Sequence, residues 1–348
     1  MKTGKSITEL ASELERQAGV KRDFVSSAKA LKFVTEAGKS SLEVGALGNF
    51  AIKETAHDQI ASRIGIPAKY YEKMQKEAPA LLDTNVNHWL QNDGNKYMVR
   101  TLDGAARAML SDRYRPLDNL DLAQVALPTL LESGCKIESC EITDRKMYLK
   151  ATTERLTFEV KKGDVVQAGI VISNSEIGHG ALSVEPLLMR LICTNGMIMN
   201  DSKMRKHHVG RGGADFEGAS EFYRTETRLA DDKAFWMKVR DTIAHAFSTI
   251  AFEKHVERFA HAASDIVVAD PIEVMEVTQK RFGLQEGEKR LVLTHWLQDG
   301  DMSRFGLANA ITRSAQDIED YDRATDFERL GGDIIELPKT DWNRIALN

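Results

Sequence analysis

KIESCEITDRKMYLKATTERLTFEVKKGDVVQAGIVISNS (136–175) is the stretch on which the fold turns. Apolar Met147, Leu149 and Ala151 alternate with Lys146, Tyr148 and Lys150, the period-two spacing of a half-buried strand. Thr143-Asp144 and Lys162-Gly163-Asp164 punctuate the run as turns. The reading is four successive strands, 136–142, 146–153, 156–162 and 165–175, folded back on one another as an antiparallel meander. Turn signals at Gly178-His179-Gly180 and Asn195-Gly196 extend it with strands at 181–193 and 197–200. KYMVRTL (96–102) reads as a further strand upstream.

Outward from this core the pattern changes. A helix at 119–134 precedes the meander, with Asp118 or Asn119 as its cap and Gly134 as its end. Another is expected at 6–18, where Ser6 precedes Ile7, Leu10, Ala11 and Leu14 at helical spacing. Residues 22–53 read as short strands, and 55–78 as two short helices broken at Gly65 and Pro67. From about 219 the chain turns helical. One long helix is expected over 230–263, then helices at 271–282, 286–298, 303–315 and 317–330, the last stopped by Gly331-Gly332 before a short extended tail. The fold class is therefore α+β: a central antiparallel sheet with a packed helix, followed by a mostly helical C-terminal region. Three segments follow: 1–90 mixed α/β, 91–213 antiparallel and β-rich with basic clusters, and 214–348 acidic and helical.

With 348 residues, 42% hydrophobic and 28% charged, the chain has globular composition and can bury a core without staples. It lacks an apolar run of the roughly 18 residues a membrane span needs, and the N-terminus has no apolar signal-peptide core. Cys135, Cys140 and Cys193 form no CxxC pair, which argues against a disulfide framework or a zinc ribbon. The expectation is a soluble protein of the cytoplasm, with no membrane partner. The net charge of −5 divides into +4 over 1–213 and −9 over 214–348. That division suggests a basic binding half and an acidic half for self-association or a partner protein.

The densest basic segment is KMRKHHVGRGG (203–213), in which Lys203, Arg205, Lys206 and Arg211 stand with no acid among them. Gly-rich basic loops suit phosphate backbones, because amides and guanidinium groups both donate to oxygen. A second cluster is Lys146, Lys150, Arg155, Lys161 and Lys162, with Tyr148 between. Lys146, Tyr148 and Lys150 share a strand face, a plausible track with Tyr148 stacking on bases. A third is Arg113-Tyr114-Arg115, just before a helix start. Polar Ser173, Asn174, Ser175, Glu176, Arg190, Thr194 and Asn195 stand in apolar strands; they read either as a structural network, with Glu176 paired to Arg190 inside the sheet, or as the floor of a binding groove. Cys193 reads as a core thiol.

Enzyme signatures are sparse. There is no G-x-S-x-G, no Walker A loop and no G-x-G-x-x-G, so no ATPase, hydrolase triad or dinucleotide site is expected, and no cofactor. His207-His208 are adjacent on a loop and do not suit one zinc ion. Asp144 followed by Glu159-Val160-Lys161 is the one pattern fit for Mg²⁺-dependent strand cleavage, with two carboxylates for the metal and Lys161 for water.

Three runs carry a resemblance: LSDRYRPLDNLDL (110–122), NSEIGHGALSVEPLLMRLICTNGM (174–197) and GLANAITRSAQDIEDYDRATDFERLGG (306–332). Over roughly 96–332 the chain resembles the phage/plasmid-like family of unknown function found on prophages and conjugative plasmids. That resemblance implies a role in DNA metabolism, defence or takeover on a mobile element. The order helix, antiparallel strands, basic loop, helices is also similar to phage single-strand annealing proteins of the Red-beta and RecT kind, which assemble around a basic groove without ATP. Together these imply an oligomeric, non-enzymatic protein that binds single-stranded DNA through the three basic clusters. The alternatives are the Mg²⁺-dependent nuclease and a host-interaction protein acting through a host or phage protein partner.

Overall fold

A computed structural model describes residues 1–114, 116–199, 225–247, 249–267 and 269–346. The chain divides into two compact units. The smaller holds Ala11–Leu120 together with Ser175–Gly180; the larger holds Met1–Leu10, Asp121–Asn174 and Ala181–Asn348. Helix α1 (Ile7–Val20) opens the chain, and its first turn carries a capping box in which the Glu9 amide donates to Ser6 Oγ and the Ser6 amide to Glu9.

The smaller unit is a six-stranded sheet of β1 (Phe24–Ser27), β2 (Lys32–Glu36), β3 (Lys39–Val44), β4 (Gly48–Ile52), β5 (Lys96–Leu102) and β6 (Ala105–Ser111), in the order β1-β5-β6-β4-β3-β2. Only β4 and β6 run parallel. KYMVRTL thus pairs with β1 and β6 rather than joining the meander. Two hairpins are set by two-residue loops, Ala37-Gly38 and Asp103-Gly104, all four residues at positive φ. That is the backbone twist a tight hairpin requires. Helices α2 (Glu54–Arg63), α3 (Ala68–Glu77) and α4 (Pro79–Asn92) pack Ile60, Tyr71, Met74, Leu82, Val86 and Leu90 against Phe33, Leu42, Val99 and Met109. Strand β2 is an edge, and α4 covers its backbone. Asn87 accepts from the Phe33 amide and donates to its carbonyl, and Asp83 accepts from the Thr35 amide and hydroxyl. An edge so occupied cannot recruit another chain.

The larger unit takes in α5 (Asn119–Glu132) from Asp121 onward and then forms the expected meander. β7 (Lys136–Ile142), β8 (Met147–Lys161), β9 (Asp164–Asn174), β10 (Ser183–Arg190) and β11 (Asn195–Ile198) lie in consecutive antiparallel order. The strands expected at 146–153 and 156–162 are one strand, with a register shift between Thr153 and Thr157 in its pairing to β9. An irregularity of this kind bends a strand without ending it.

The helical region expected beyond the sheet is present: α6 (Thr225–Ala246), α7 (Thr249–Ser264), α8 (Pro271–Phe282), α9 (Glu286–Asp299), α10 (Arg304–Ser314), α11 (Tyr321–Glu336) and α12 (Lys339–Ala346). The single helix expected over 230–263 is two, α6 and α7. Gly331-Gly332 do not stop a helix; they lie inside α11. A Cβ on Gly332 would stand 2.0 Å from the Ile198 carbonyl oxygen and one on Gly331 2.3 Å from Thr312 Cγ2. The glycines let α11 lie against β11 and α10, so close approach rather than termination explains them. The tail expected to be extended is α12, whose Trp342 and Ile345 are buried. The core joins Val166, Ala168, Leu188 and Met197 of the sheet to Phe252, Trp296, Phe305, Ile311, Phe327 and Trp342 of the helices. Arg304, buried in α10, donates to the Ile334 and Ile335 carbonyls and so satisfies the end of α11.

Candidate functional site

The expected basic track along β8 is broken by burial. Lys150 is fully buried, and its Nζ pairs with Glu328 Oε2 at 2.6 Å and donates to Thr325 Oγ1 at 3.1 Å. Burial draws its pKa down against the pull of Glu328. Tyr148 is also buried; its hydroxyl donates to Asp322 Oδ1 at 2.7 Å and its ring packs on Tyr321. Both side chains point at α11, which covers the face that alternation marks as polar. Neither reaches a phosphate or a base from there, so neither is a nucleic-acid contact. Lys161 pairs with Asp301 at 2.6 Å. Arg155 and Lys162 are exposed and Lys146 is half-buried. Arg113 is exposed in the smaller unit. Arg115, Lys203, Arg205, Lys206 and Arg211 lie outside the described residues.

The nuclease triad does not assemble. Asp144 lies in the turn before β8, whereas Glu159 stands near the far end of that strand, with twelve strand residues, Met147 to Phe158, between them. Among the described residues, no group of three or more His, Cys, Asp and Glu is placed to hold a metal ion.

Two of the three resembling runs meet in a buried ionic knot in the smaller unit. Arg100, with no exposed side-chain surface, donates to Asp23 Oδ2 at 2.8 Å, Asp118 Oδ1 at 2.6 Å and the Glu176 carbonyl at 2.8 Å. Glu176 accepts from Lys21 at 3.1 Å, from the Asn119 amide at 2.7 Å and from Arg107. Tyr114 reaches the Ser175 and Glu176 carbonyls at 3.4 Å. Burial alone would raise both carboxyls. Instead Arg107 and Lys21 hold Glu176 below its ordinary value, and Arg100 does the same for Asp118. Three cations thus face three carboxylates, and the knot is charge-balanced. Glu176 does not take Arg190 as its cation: Lys21 and Arg107 hold Glu176, and Asp164 holds Arg190. Tyr114 is accordingly a tether of this knot.

In the larger unit, the rest of the second run meets the third. Arg329 pairs with Glu185 at 2.7 Å, and Gln316 donates to Asn195 Oδ1 at 2.9 Å and to the Cys193 carbonyl at 3.1 Å. Arg190 pairs with Asp164 at 2.8 Å. Between the β10–β11 turn and helices α9 and α10 lies a cleft of about 200 Å³, walled by Arg190, Cys193, Asn195, His295, Asn309 and Arg313. Cys193 is not a core thiol: it is half-buried in this cleft wall, and Arg190 donates toward its Sγ at 3.7 Å. Sequence reasoning marked Arg190, Thr194 and Asn195 as a polar network or a groove floor, and Arg190 and Asn195 do stand in the cleft wall; it missed His295, Asn309 and Arg313, which come from helices far along the chain. The signal available was polar Asn195 and Asn309 set within otherwise apolar, buried elements.

Fold and sites together describe an α+β protein with one charge-balanced ionic knot and one polar cleft. Residues 107–233 match the model of a domain of unknown function, DUF932. This match takes in the first two resembling runs and ends within α6. No curated protein and no solved structure matches the chain. No helix among the described residues is long and apolar enough to cross a membrane.

Proposed function

We propose that the protein binds single-stranded DNA as an ATP-independent annealing protein of a mobile genetic element, and that it works as an oligomer. The observation that carries this reading is the run 203–213, where Lys203, Arg205, Lys206 and Arg211 stand without a single acid. Each cation that neutralises a phosphate releases condensed counterions, and that release is the main source of sequence-independent affinity. Exposed Arg155 and Lys162 on the β8–β9 hairpin add to it, with Lys146, Lys161 and Arg113 as further donors. Glu154 and Glu159 are exposed on the same hairpin, so the hairpin alone supplies little net positive field. The weight falls on the four cations of 203–211. The setting on a mobile element rests on the three resembling runs, and the likeness to Red-beta and RecT proteins on the order helix, antiparallel strands, basic loop, helices. The acidic 214–348 half is the surface for self-association.

The test is fluorescence anisotropy of a labelled single-stranded oligonucleotide across a salt series, with and without Mg²⁺. Steep weakening with salt is expected, with the oligonucleotide intact. Lys203→Ala/Arg205→Ala/Lys206→Ala should flatten the log–log slope by about 2, since each phosphate neutralised on a single strand adds about 0.7 to it. An unchanged affinity and slope in that variant would sink the assignment. Absence of binding at low salt would move the search to protein partners.

A further inference from the structure

The cleft between the β10–β11 turn and helices α9 and α10 is a second place where the chain has unmet chemistry. Helix α10 is buried along its whole length except at Arg313. Asn309 and Arg313, four residues apart, share a side of that helix, and both line the cleft. Asn309 is only 3% exposed, yet its Nδ2 has no hydrogen-bond partner. A buried amide nitrogen without an acceptor is unfavourable, and in native proteins such a group calls for an explanation. Asn309 is one of the residues that line the cleft, the space from which an acceptor can come.

The charges fix the sign of that acceptor. Arg190 is matched by Asp164 at 2.8 Å and by Asp299, the carboxylate that also lines the cleft, at 3.8 Å. His295 leans on Asp317 at 2.7 Å. Arg313 has no carboxylate partner among the described residues; its Nη1 donates to the neutral Gln316 Oε1 at 2.8 Å. A half-buried guanidinium with donors to spare stands beside an orphaned amide donor, an arrangement suited to an anionic oxygen group. The opposite wall is held in place. Thr194, a β-branched residue, sits at φ 51° between Cys193 and Asn195, and Gln316 clamps both neighbours. Asn195 Nδ2 donates to the Asn309 carbonyl at 3.3 Å, which ties the turn to α10.

We propose that this cleft binds a small oxyanion, a phosphate or a carboxylate group, through Arg313 and the Asn309 amide. A space of about 200 Å³ equals the liquid share of about seven waters, so the ligand is a free ion or a short acid rather than a polymer. The site is independent of the single-strand reading, which rests on other residues.

Cys193 offers a direct readout. It lines the cleft and is half-buried, whereas Cys135 and Cys140 are buried. Alkylation of the full chain by iodoacetamide, a neutral reagent, should show one fast thiol that Cys193→Ser removes. Inorganic phosphate and acetate are titrated separately, with ionic strength held by chloride and no oligonucleotide present. Saturable, several-fold slowing of the fast thiol by one or both anions is expected, and which one acts identifies the group. Arg313→Gln should keep the ligand-free alkylation rate, which certifies the fold, and weaken the protecting anion about tenfold or more. Asn309→Asp should do the same by placing a carboxylate where a donor is required. Absence of saturable protection by either anion, or equal protection in Arg313→Gln, would overturn the proposal. So would loss of protection in Lys203→Ala/Arg205→Ala/Lys206→Ala, since the site would then not be separate from the polyanion segment.

Discussion

His57 has a hydrogen-bond partner in Tyr71, Nδ1 to Oη at 2.8 Å, and packs edge-on against the Phe33 ring. Burial lowers its pKa from 6.5 to about 4, only partly opposed by Asp58. The folded chain therefore takes up this proton later than the unfolded chain. The sign follows: above pH 6.5 both states carry a neutral imidazole and nothing is lost. As pH falls from 6.5 to about 4, the unfolded state gains a proton the folded state resists, and stability drops by up to about 3 kcal/mol. Melting temperature against pH should show that loss in the wild type, and His57→Gln, which can still meet Tyr71, should flatten it. An equal slope in both would assign the acid sensitivity elsewhere. At the same scale, Lys150 illustrates what the sequence hid. A lysine in the polar phase of a strand reads as solvated, and its burying partner Glu328 is 178 residues away. Removing that one charge, as in Lys150→Met, leaves Glu328 buried without compensation. It should cost about 3–5 kcal/mol in chemical denaturation, with most of it regained in Lys150→Met/Glu328→Leu. Additive losses in the pair would contradict a direct coupling.

Among the elements, two glycines in helices separate conformational cost from close packing. Gly332 in α11 meets Ile198 O at 2.0 Å from a built Cβ, whereas Gly19 in α1 meets nothing within 4 Å. Alanine at an open helical site restricts the unfolded chain, so Gly19→Ala should stabilise by about 0.4–1 kcal/mol. Gly332→Ala must instead push α11 off a backbone carbonyl and should destabilise by about 1–3 kcal/mol or more. Equal effects of the two in thermal melts would refute the close-approach reading. The same contrast explains why the meander was legible and the end of α11 was not. Period-two alternation and Lys162-Gly163 are local signals, carried by the residues that form the hairpin. A Gly-Gly pair is equally consistent with stopping a helix and with letting one pass close to a sheet, and only the tertiary neighbour decides. Strand β6 was missed for a different reason. AARAMLS has the composition of a helix, but Asp103-Gly104 before it is a strong hairpin signal that outweighs composition.

On the scale of the molecule, the informative fact is that the smaller unit is discontinuous: it is completed by Ser175–Gly180, a six-residue excursion between β9 and β10. Composition shifts along the chain draw boundaries elsewhere, and so place this segment inside the meander and pair Glu176 with Arg190. The charge logic was right that Glu176 needs buried cations, but Lys21 and Arg107 supply them from far along the sequence. The basic runs were legible as charge and illegible as exposure, which is why Lys150 and Tyr148 fail as nucleic-acid contacts while Arg155 and Lys162 remain open to solvent. If Glu176 is the keystone of the smaller unit, Glu176→Gln should leave Arg107 without its carboxylate and Lys21 with Asp118 alone, and cost that unit about 3–5 kcal/mol. Native-state hydrogen exchange resolves where the loss falls. Amides of β5 and β6 should exchange faster, while those of β8 and β9 in the larger unit keep their protection. Equal acceleration in both sheets would mean that the chain opens as one cooperative body, and unchanged exchange in β5 and β6 would mean that the knot does not hold the smaller unit together. The depressed carboxyls of Glu176 and Asp118 set the pH dependence of the same effect. Their stabilisation is complete above the ordinary carboxylate range and is lost as pH falls through the lowered folded values, so the gap between wild type and Glu176→Gln should narrow in acid.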